Sequence, residues 1–138
     1  MATVAQVIKY ALQEILTQAS EAPLESDEYQ DCIFALNTMM NEYEGSGLNL
    51  GWSDVSTLAD EITSPSSIIS GIISNLAIRV APQFMGSVTP QLMEKAAKGE
   101  KLFHHIGVEI TQTELPSGLP IGSGADRWNG FKLFQGAE

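Results

Sequence analysis

The chain has few positive charges, one cysteine and no long apolar run, and each shortage excludes a class of protein. Only 7 lysines and arginines face 17 acidic residues, which gives a net charge of −10 at pH 7. Nucleic-acid binding requires cations that displace phosphate counterions, so this balance argues against a DNA- or RNA-binding protein. The single cysteine, Cys32, cannot close a disulfide within the chain, which suits a reducing compartment. No segment approaches the roughly 18 consecutive apolar residues of a membrane helix, so we expect no membrane partner.

Residues that carry catalytic or metal chemistry are also sparse. His104 and His105 are adjacent, and neighbours on a helix point about 100° apart, so the pair does not converge on one metal ion. The run Gly122-Ser-Gly124 is too short for a phosphate-binding loop, and no Gly-x-Ser-x-Gly motif is present. We therefore expect no cofactor, no metal and no catalytic residue. The many carboxylates leave one enzymatic alternative open, a pair of acids that cleaves glycosidic bonds.

What the chain does contain is apolar residues at helical spacing. With 43% hydrophobic residues it has enough apolar material for one globular core. Apolar positions three and four apart predict helices at 3–18, about 26–43, 64–82 and 89–107, which makes the fold class all-α with a four-helix core. Thr3 is the expected cap of the first helix, and Thr89 followed by Pro90 begins the fourth. The cysteine falls on an apolar helical face, which predicts a buried and inert thiol.

The third predicted helix, 64–82, is the one around which the others are arranged. Ser64 is placed to cap it, Pro65 fits its first position, and Pro82 should end or kink it. Gly71 costs about 1 kcal/mol relative to alanine in the middle of a helix, so we expect another helix to pack closely there. The fourth helix offers small residues that permit such an approach: Ala96, Ala97 and Gly99.

Asn75 and Arg79 lie four residues apart on one face of this helix, next to its apolar stripe. Because charged groups are rarely buried without a partner, Arg79 should form an ion pair. Three partners stay open: a carboxylate within the helical core, one on a neighbouring subunit, or a local surface carboxylate. With Pro82, these residues form the predicted set for subunit or core packing.

The segment 48–63 has no helical period. Leu48, Leu50 and Trp52 alternate with polar residues, which indicates a short strand or an extended loop. Residues 54–64 are rich in serine, threonine and acids and predict a surface loop.

From Val108 onward, glycines and prolines prevent helix formation. We therefore divide the chain into a helical core, 1–107, and an extended C-terminal arm, 108–138. The arm carries large apolar side chains that indicate docking on a partner, although packing back onto the core is the alternative. These side chains are Leu115, Leu119, Ile121, Trp128, Phe131, Leu133 and Phe134.

Several segments of the chain match a family pattern. The first is Asn75-Leu-Ala-Ile-Arg-Val-Ala-Pro82, which is followed by a helix ending Ala97-Lys-Gly-Glu-Lys-Leu102. The second is the arm segment Leu115-Pro-Ser-Gly-Leu-Pro-Ile-Gly-Ser-Gly124, which is followed by Trp128 and Phe131. With weaker matches around 39–50, they span about residues 30–134. The chain resembles the head-completion or portal-adaptor proteins of short-tailed phages, also called tail accessory factors or packaged-DNA stabilisation proteins.

This resemblance implies a structural role rather than an enzymatic one. Such proteins sit at the head–tail junction of the virion and are made in the host cytoplasm. They bind the portal ring after DNA packaging as a twelve-fold ring of adaptor subunits, extend the DNA channel and help to retain the DNA. They also offer a platform to tail nozzle or tail-hub proteins, and DNA passes through without sequence-specific binding.

The resemblance also implies which residues contact the portal. In the family the helical core forms the ring and the C-terminal arm docks on the portal. Here the base of the arm holds Glu109 and Glu114 with no cation between Lys101 and Arg127, whereas the family's arm base is more basic. The expected contacts are therefore the arm's apolar anchors and their turns: Leu115, Pro116, Leu119, Pro120, Ile121, Gly122, Gly124, Trp128, Phe131 and Phe134.

Two alternatives to the adaptor remain at this point. One is a tail-associated enzyme that cleaves peptidoglycan through paired carboxylates. The other is a small helical packaging factor that binds DNA, which the absence of a basic face disfavours.

Overall fold

A computed structural model describes residues 1–15 and 25–108 of the chain. Within these ranges the protein is all-α and contains no strand, as the apolar spacing predicts. None of the described helices is long and apolar enough to span a membrane. The elements are α1 (Val4–Ile15), α2 (Ser26–Gly45), a 3₁₀ turn (Ser66–Ile68), α3 (Ile69–Val80) and α4 (Pro90–Gly107).

Helix α3 lies at the centre of the fold and contacts α1, α2 and α4. Its apolar stripe, which includes Ile72, Leu76 and Val80, is buried. Full burial of one such side chain contributes about 1.5–3 kcal/mol, so this stripe is a main source of stability. The largest side chains buried around it from the other helices are Ile8, Ile15, Leu36, Met39, Met40, Leu92 and Phe103.

Two of the predicted helix starts are confirmed by their side-chain caps. The Thr89 hydroxyl accepts a hydrogen bond from the Leu92 backbone N–H at 3.2 Å, and Pro90 occupies the first turn of α4. At α1, Thr3 and Gln6 exchange side-chain-to-backbone hydrogen bonds at 3.2 and 3.4 Å. These hydrogen bonds satisfy backbone amides that would otherwise lack partners at a helix start.

The predicted cap of the central helix is wrong. Ser64 is buried, and its hydroxyl has no hydrogen-bond partner among the described residues. Pro65 has extended backbone angles (φ −55°, ψ 140°), so the chain turns only after it and enters α3 through the 3₁₀ turn. The other end agrees with prediction, since α3 ends at Val80, just before Pro82. Ala81 nevertheless keeps helical angles (φ −49°, ψ −43°), so the proline stops the helix without making that residue extended.

Residues 48–64, here called the strap, form an extended loop rather than a strand. Leu48, Leu50 and Trp52 are buried, as their alternation indicates. The prediction that 54–64 is a surface loop is wrong for three of its residues, because Val55, Ile62 and Ser64 are buried as well.

The strap is held by hydrogen bonds to helix ends and to α2. The first amides of α1 donate to strap carbonyls, from Val4 to Asp60 and from Ala5 to Leu58, both at 3.0 Å. At its other end, the Asn49 N–H donates to the Gly107 carbonyl at 2.9 Å. Buried backbone groups need partners, and these bonds supply them where the chain forms neither helix nor sheet.

Asp60 organises the tight turn of the strap and predicts a specific response to acid. Its carboxylate accepts hydrogen bonds from the backbone N–H groups of Ser56 and Thr57, both at 2.8 Å, and from the Thr57 hydroxyl at 2.7 Å. These bonds, led by the Thr57 hydroxyl, lower the pKa of Asp60 from 3.8 to about 2. A lowered folded-state pKa stabilises the protein above about pH 4, and this contribution is lost as the pH falls towards 2.

We therefore expect Asp60→Asn to weaken the fall in stability between pH 4 and pH 2. Urea midpoints measured from pH 6 to pH 2 test this. Asp54→Asn is the matched control, because Asp54 is an exposed strap acid whose carboxylate accepts a single hydrogen bond from Asn41. An unchanged acid response in Asp60→Asn would show that the turn does not depend on the ionised carboxylate.

Candidate assembly surface

Helices α3 and α4 touch backbone to backbone. A Cβ atom added to Gly71 would lie 2.8 Å from the Gly99 Cα, and one added to Gly99 would lie 2.5 Å from the Gly71 Cα. The close approach expected at Gly71 is thus confirmed, and buried Ala96 and Gly99 form the small face that permits it. Ala97 is exposed, so its predicted place in that contact is wrong.

Asn75 bridges the two helices one turn further along. Its side-chain NH₂ donates to the Gly71 carbonyl in its own helix at 2.9 Å and to the Ala96 carbonyl in α4 at 3.2 Å. The side chain therefore fixes the position of α4 along α3.

Asn75→Ala is expected to lower the free energy of unfolding by about 1–2 kcal/mol, because a partly buried bridge between helices is lost. Chemical denaturation of the two proteins measures this difference. Asn41→Ala provides the control, since its amide bonds only to exposed Asp54 and its loss should change stability by less. Equal effects of the two substitutions would contradict the bridging role of Asn75.

Arg79 pairs with Glu42 of α2, so its partner lies within the helical core of the same chain. The hydrogen bond from Arg79 lowers the pKa of Glu42. Because the pair is exposed, with 36% and 58% of the side-chain surfaces accessible, solvent screens it and it contributes little stability.

Helices α2 and α4 meet beside this pair at Tyr43. Its hydroxyl donates to the Glu100 carboxylate at 3.2 Å, and its ring packs edge-on against Phe103 with centroids 5.1 Å apart. Burial, together with the nearby Glu100 charge, raises the pKa of Tyr43 to about 12. Tyr43 is therefore a neutral hydrogen-bond donor that joins the two helices.

Pro82 begins a turn that projects a side chain into solvent. The turn is pinned to α1, since the Ser87 N–H donates to the Ile15 carbonyl at 3.0 Å and Gly86 packs against the Ile15 side chain. Met85, which directly precedes Gly86 in this turn, has a φ of +51° and is 97% exposed. A left-handed conformation is unfavourable for a residue with a side chain, so the fixed turn imposes it. Nothing in the sequence around Met85 signals this conformation.

Other large apolar side chains are exposed on the helices. Phe34 on α2 is 73% exposed and Met93 on α4 is 59% exposed. An apolar residue at position 93 would be expected to join buried Leu92 in the core, but Met93 lies on the solvent side of α4. Phe34 was missed, although its position opposite the apolar stripe of α2 is visible in the sequence.

The described residues also locate the side chains considered for chemistry. Cys32 is buried, and burial is the main cause that raises the pKa of its thiol to about 11, so it is inert as expected. His104 and His105 are both exposed in the last turn of α4. Within 1–15 and 25–108, no group of three or more histidines, cysteines or acids is arranged to hold a metal ion.

The predicted arm contacts lie outside the described residues. This applies to all ten of them: Leu115, Pro116, Leu119, Pro120, Ile121, Gly122, Gly124, Trp128, Phe131 and Phe134. Of the predicted site residues, the structure places Asn75, Arg79 and Pro82, and it brings Asn75 and Arg79 together on one side of α3.

A family model described as P22 tail accessory factor matches residues 1–137. The chain therefore belongs to the P22 tail accessory factor family, in agreement with the resemblance found in its sequence. It is a phage tail accessory protein and a component of the virion, where it interacts with other virion components.

Proposed function

We propose that this protein is a structural head-to-tail adaptor that binds the portal ring after DNA packaging. In this role it extends the DNA channel, helps to retain the packaged DNA and provides the platform on which tail nozzle or tail-hub proteins assemble. The observation that carries the proposal is the family match over residues 1–137. The role is structural and non-enzymatic, and the protein acts at the head–tail junction after synthesis in the host cytoplasm.

The helical core, 1–107, would form the ring and the arm, 108–138, would dock on the portal. The end of α4 supports this division, because the Gly107 carbonyl bonds to the strap and Gly107 packs tightly against Leu48 and Leu50. A Cβ atom added to Gly107 would lie 3.0 Å from the Leu48 side chain. The last described turn of α4, after which the arm would begin, is therefore held in place by the strap.

Apolar anchors on the arm would carry the contact with the portal. Glu109 and Glu114 make its base acidic, so charge attraction at that point is not what holds it. Twelve copies matched to the symmetry of the portal would sum weak individual contacts into tight attachment. DNA would pass without sequence-specific binding, since the net charge of −10 opposes contact with phosphates.

Light scattering of the purified protein, alone and mixed with portal rings, tests this function. We expect a small species that forms a stoichiometric ring only when the portal is present. A protein that ignores the portal would overturn the adaptor proposal. A turbidity assay on purified cell walls would then test the peptidoglycan-cleaving alternative, with substitutions of paired acids to locate any catalytic carboxylates.

A further inference from the structure

Helix α2 carries an acidic face that is open to solvent. It consists of Asp27, Asp31 and Phe34, and all three residues are exposed. Phe34 is two residues from buried Leu36, and at about 100° per residue it points to nearly the opposite side of the helix. An exposed phenylalanine beside two carboxylates suits a partner surface that is apolar and positively charged.

Helix α4 carries a face of the complementary kind, called here the basic face. Lys98 and Lys101 point away from the buried residues Ala96, Gly99 and Phe103. Exposed Met93 and Ala97 lie beside the lysines and supply a shallow apolar surface.

The other charges near these lysines leave them available. Lys95 on the same helix is held by Glu14 of α1 at 2.8 Å, and Arg79 is held by Glu42. Lys98 bonds to Glu94 at 2.9 Å within its own helix, but both side chains are about two-thirds exposed or more. Such a pair exchanges partners at little cost. Glu100, which precedes Lys101 in the sequence, accepts a hydrogen bond from the Tyr43 hydroxyl.

We propose that the acidic face of α2 binds the basic face of α4 on a second copy of this chain. Two different faces of one molecule form a heterologous contact, and a heterologous contact that closes generates a ring. The proposal rests on the proposed function, because it names the surface through which neighbouring adaptors touch.

The spacing of the two faces gives the contact a register. With a rise of about 1.5 Å per residue, Asp31 lies about 4.5 Å from Phe34 along α2, and Lys101 lies about 6 Å from Ala97 along α4. Antiparallel helices therefore place Phe34 on Ala97 and Met93 while Asp31 meets Lys101. Sulfur–aromatic contact between Met93 and Phe34 adds to the apolar part of this interface.

The two faces are small, so this contact should be weak in solution. Stable interfaces use roughly 20–30 residues on each side, far more than these faces provide. Portal-bound arms would hold neighbouring cores side by side, and the high effective concentration would then close the contact.

Charge exchange tests the proposed contact. One variant carries Asp27→Lys with Asp31→Lys, and the other carries Lys98→Glu with Lys101→Glu. In a ring made of either variant alone, the α2 face of each subunit has the same charge as the α4 face of its neighbour. Because these faces repel, each variant should bind portal rings at least about tenfold more weakly than the wild type. An equimolar mixture restores opposite charges in an alternating ring, and one chain with all four substitutions restores them in every copy. Both should recover binding.

Native mass spectrometry of portal rings counts the bound copies in each case, and circular dichroism confirms that the variants are folded. Wild-type binding with no loss in either variant would overturn this contact while leaving the adaptor function intact. Absence of wild-type binding would instead contradict the adaptor function. Loss in both variants without recovery in the mixture or in the four-substitution chain would also overturn the contact.

Disulfide trapping on portal rings gives an independent readout. Phe34→Cys with Ala97→Cys in one chain should yield a ladder of linked subunits after oxidation, because each contact joins the two positions. Each single variant should yield no ladder, and Cys32 should not interfere because it is buried. If the double variant fully occupies portal rings but yields no linked subunits after oxidation, the proposed pairing of Phe34 with Ala97 is wrong.

Discussion

Replacing Gly99 with alanine should lower the free energy of unfolding by about 3 kcal/mol, at the upper end of the range for overpacked cores. The new Cβ atom would lie 2.5 Å from the Gly71 Cα, and the obstacle is backbone rather than a side chain that could turn aside. Alanine favours helix over glycine by about 1 kcal/mol, but this gain is smaller than the cost of separating α3 from α4. The separation would also weaken the Asn75 bond to Ala96.

Urea denaturation followed by circular dichroism measures this loss. Gly45→Ala is the matched control, because Gly45 ends α2 and an added Cβ atom there meets nothing within 4 Å. It should leave stability unchanged or raise it by up to about 1 kcal/mol. A Gly99→Ala protein as stable as the wild type would show that the two helices do not touch at this point.

Replacing Trp128 and Phe131 together with alanine should lower the affinity for portal rings by about 100-fold or more. Buried aromatic anchors typically contribute 2 kcal/mol or more each to binding, and each 1.4 kcal/mol is a factor of ten. Since many arms bind one ring, loss in each of them should weaken attachment of the whole assembly further. Light scattering of portal mixtures over a range of protein concentrations measures the change.

The control for the arm variant is Tyr10→Ala, which removes an exposed aromatic side chain from α1 of the core. It should bind portal rings as the wild type does. Thermal melts separate docking from the alternative in which the arm packs back on its own core. Docking predicts an unchanged melting temperature for the arm variant, whereas packing on the core predicts a lower one.

Features set by local sequence could be predicted well. The start of α4 follows from Thr89 and Pro90, which act within one helical turn. The contact at Gly71 could be inferred because a glycine in mid-helix is unfavourable unless something needs the space, and Gly99 occupies it. The family could be recognised because its motifs are runs of neighbouring residues.

Features that depend on distant parts of the chain could not be predicted. Val55 and Ile62 lie in a polar segment, and they are buried because the strap bonds to α1 and α2. Serine is a residue type that often caps helices, but Pro65 has extended backbone angles. The first turn therefore begins after Pro65, too far along the chain for Ser64 to cap it. The partner of Arg79 could be any of several carboxylates until the packing of α2 was known. The arm contacts lie outside the described residues and stay a proposal.

The long-range hydrogen bonds of the strap should also slow folding. Its bonds join Val4 to Asp60 and Asn49 to Gly107, pairs that are far apart along the chain. Helical proteins with mainly local contacts fold fast, whereas distant contacts require loops to close first and slow the search. During synthesis, the first amides of α1 can bond to the strap only after the strap has been made. The strap in turn can bond to Gly107 only after α4 has been made. The core should therefore reach its final form only after residue 107 has left the ribosome, in a late and cooperative step.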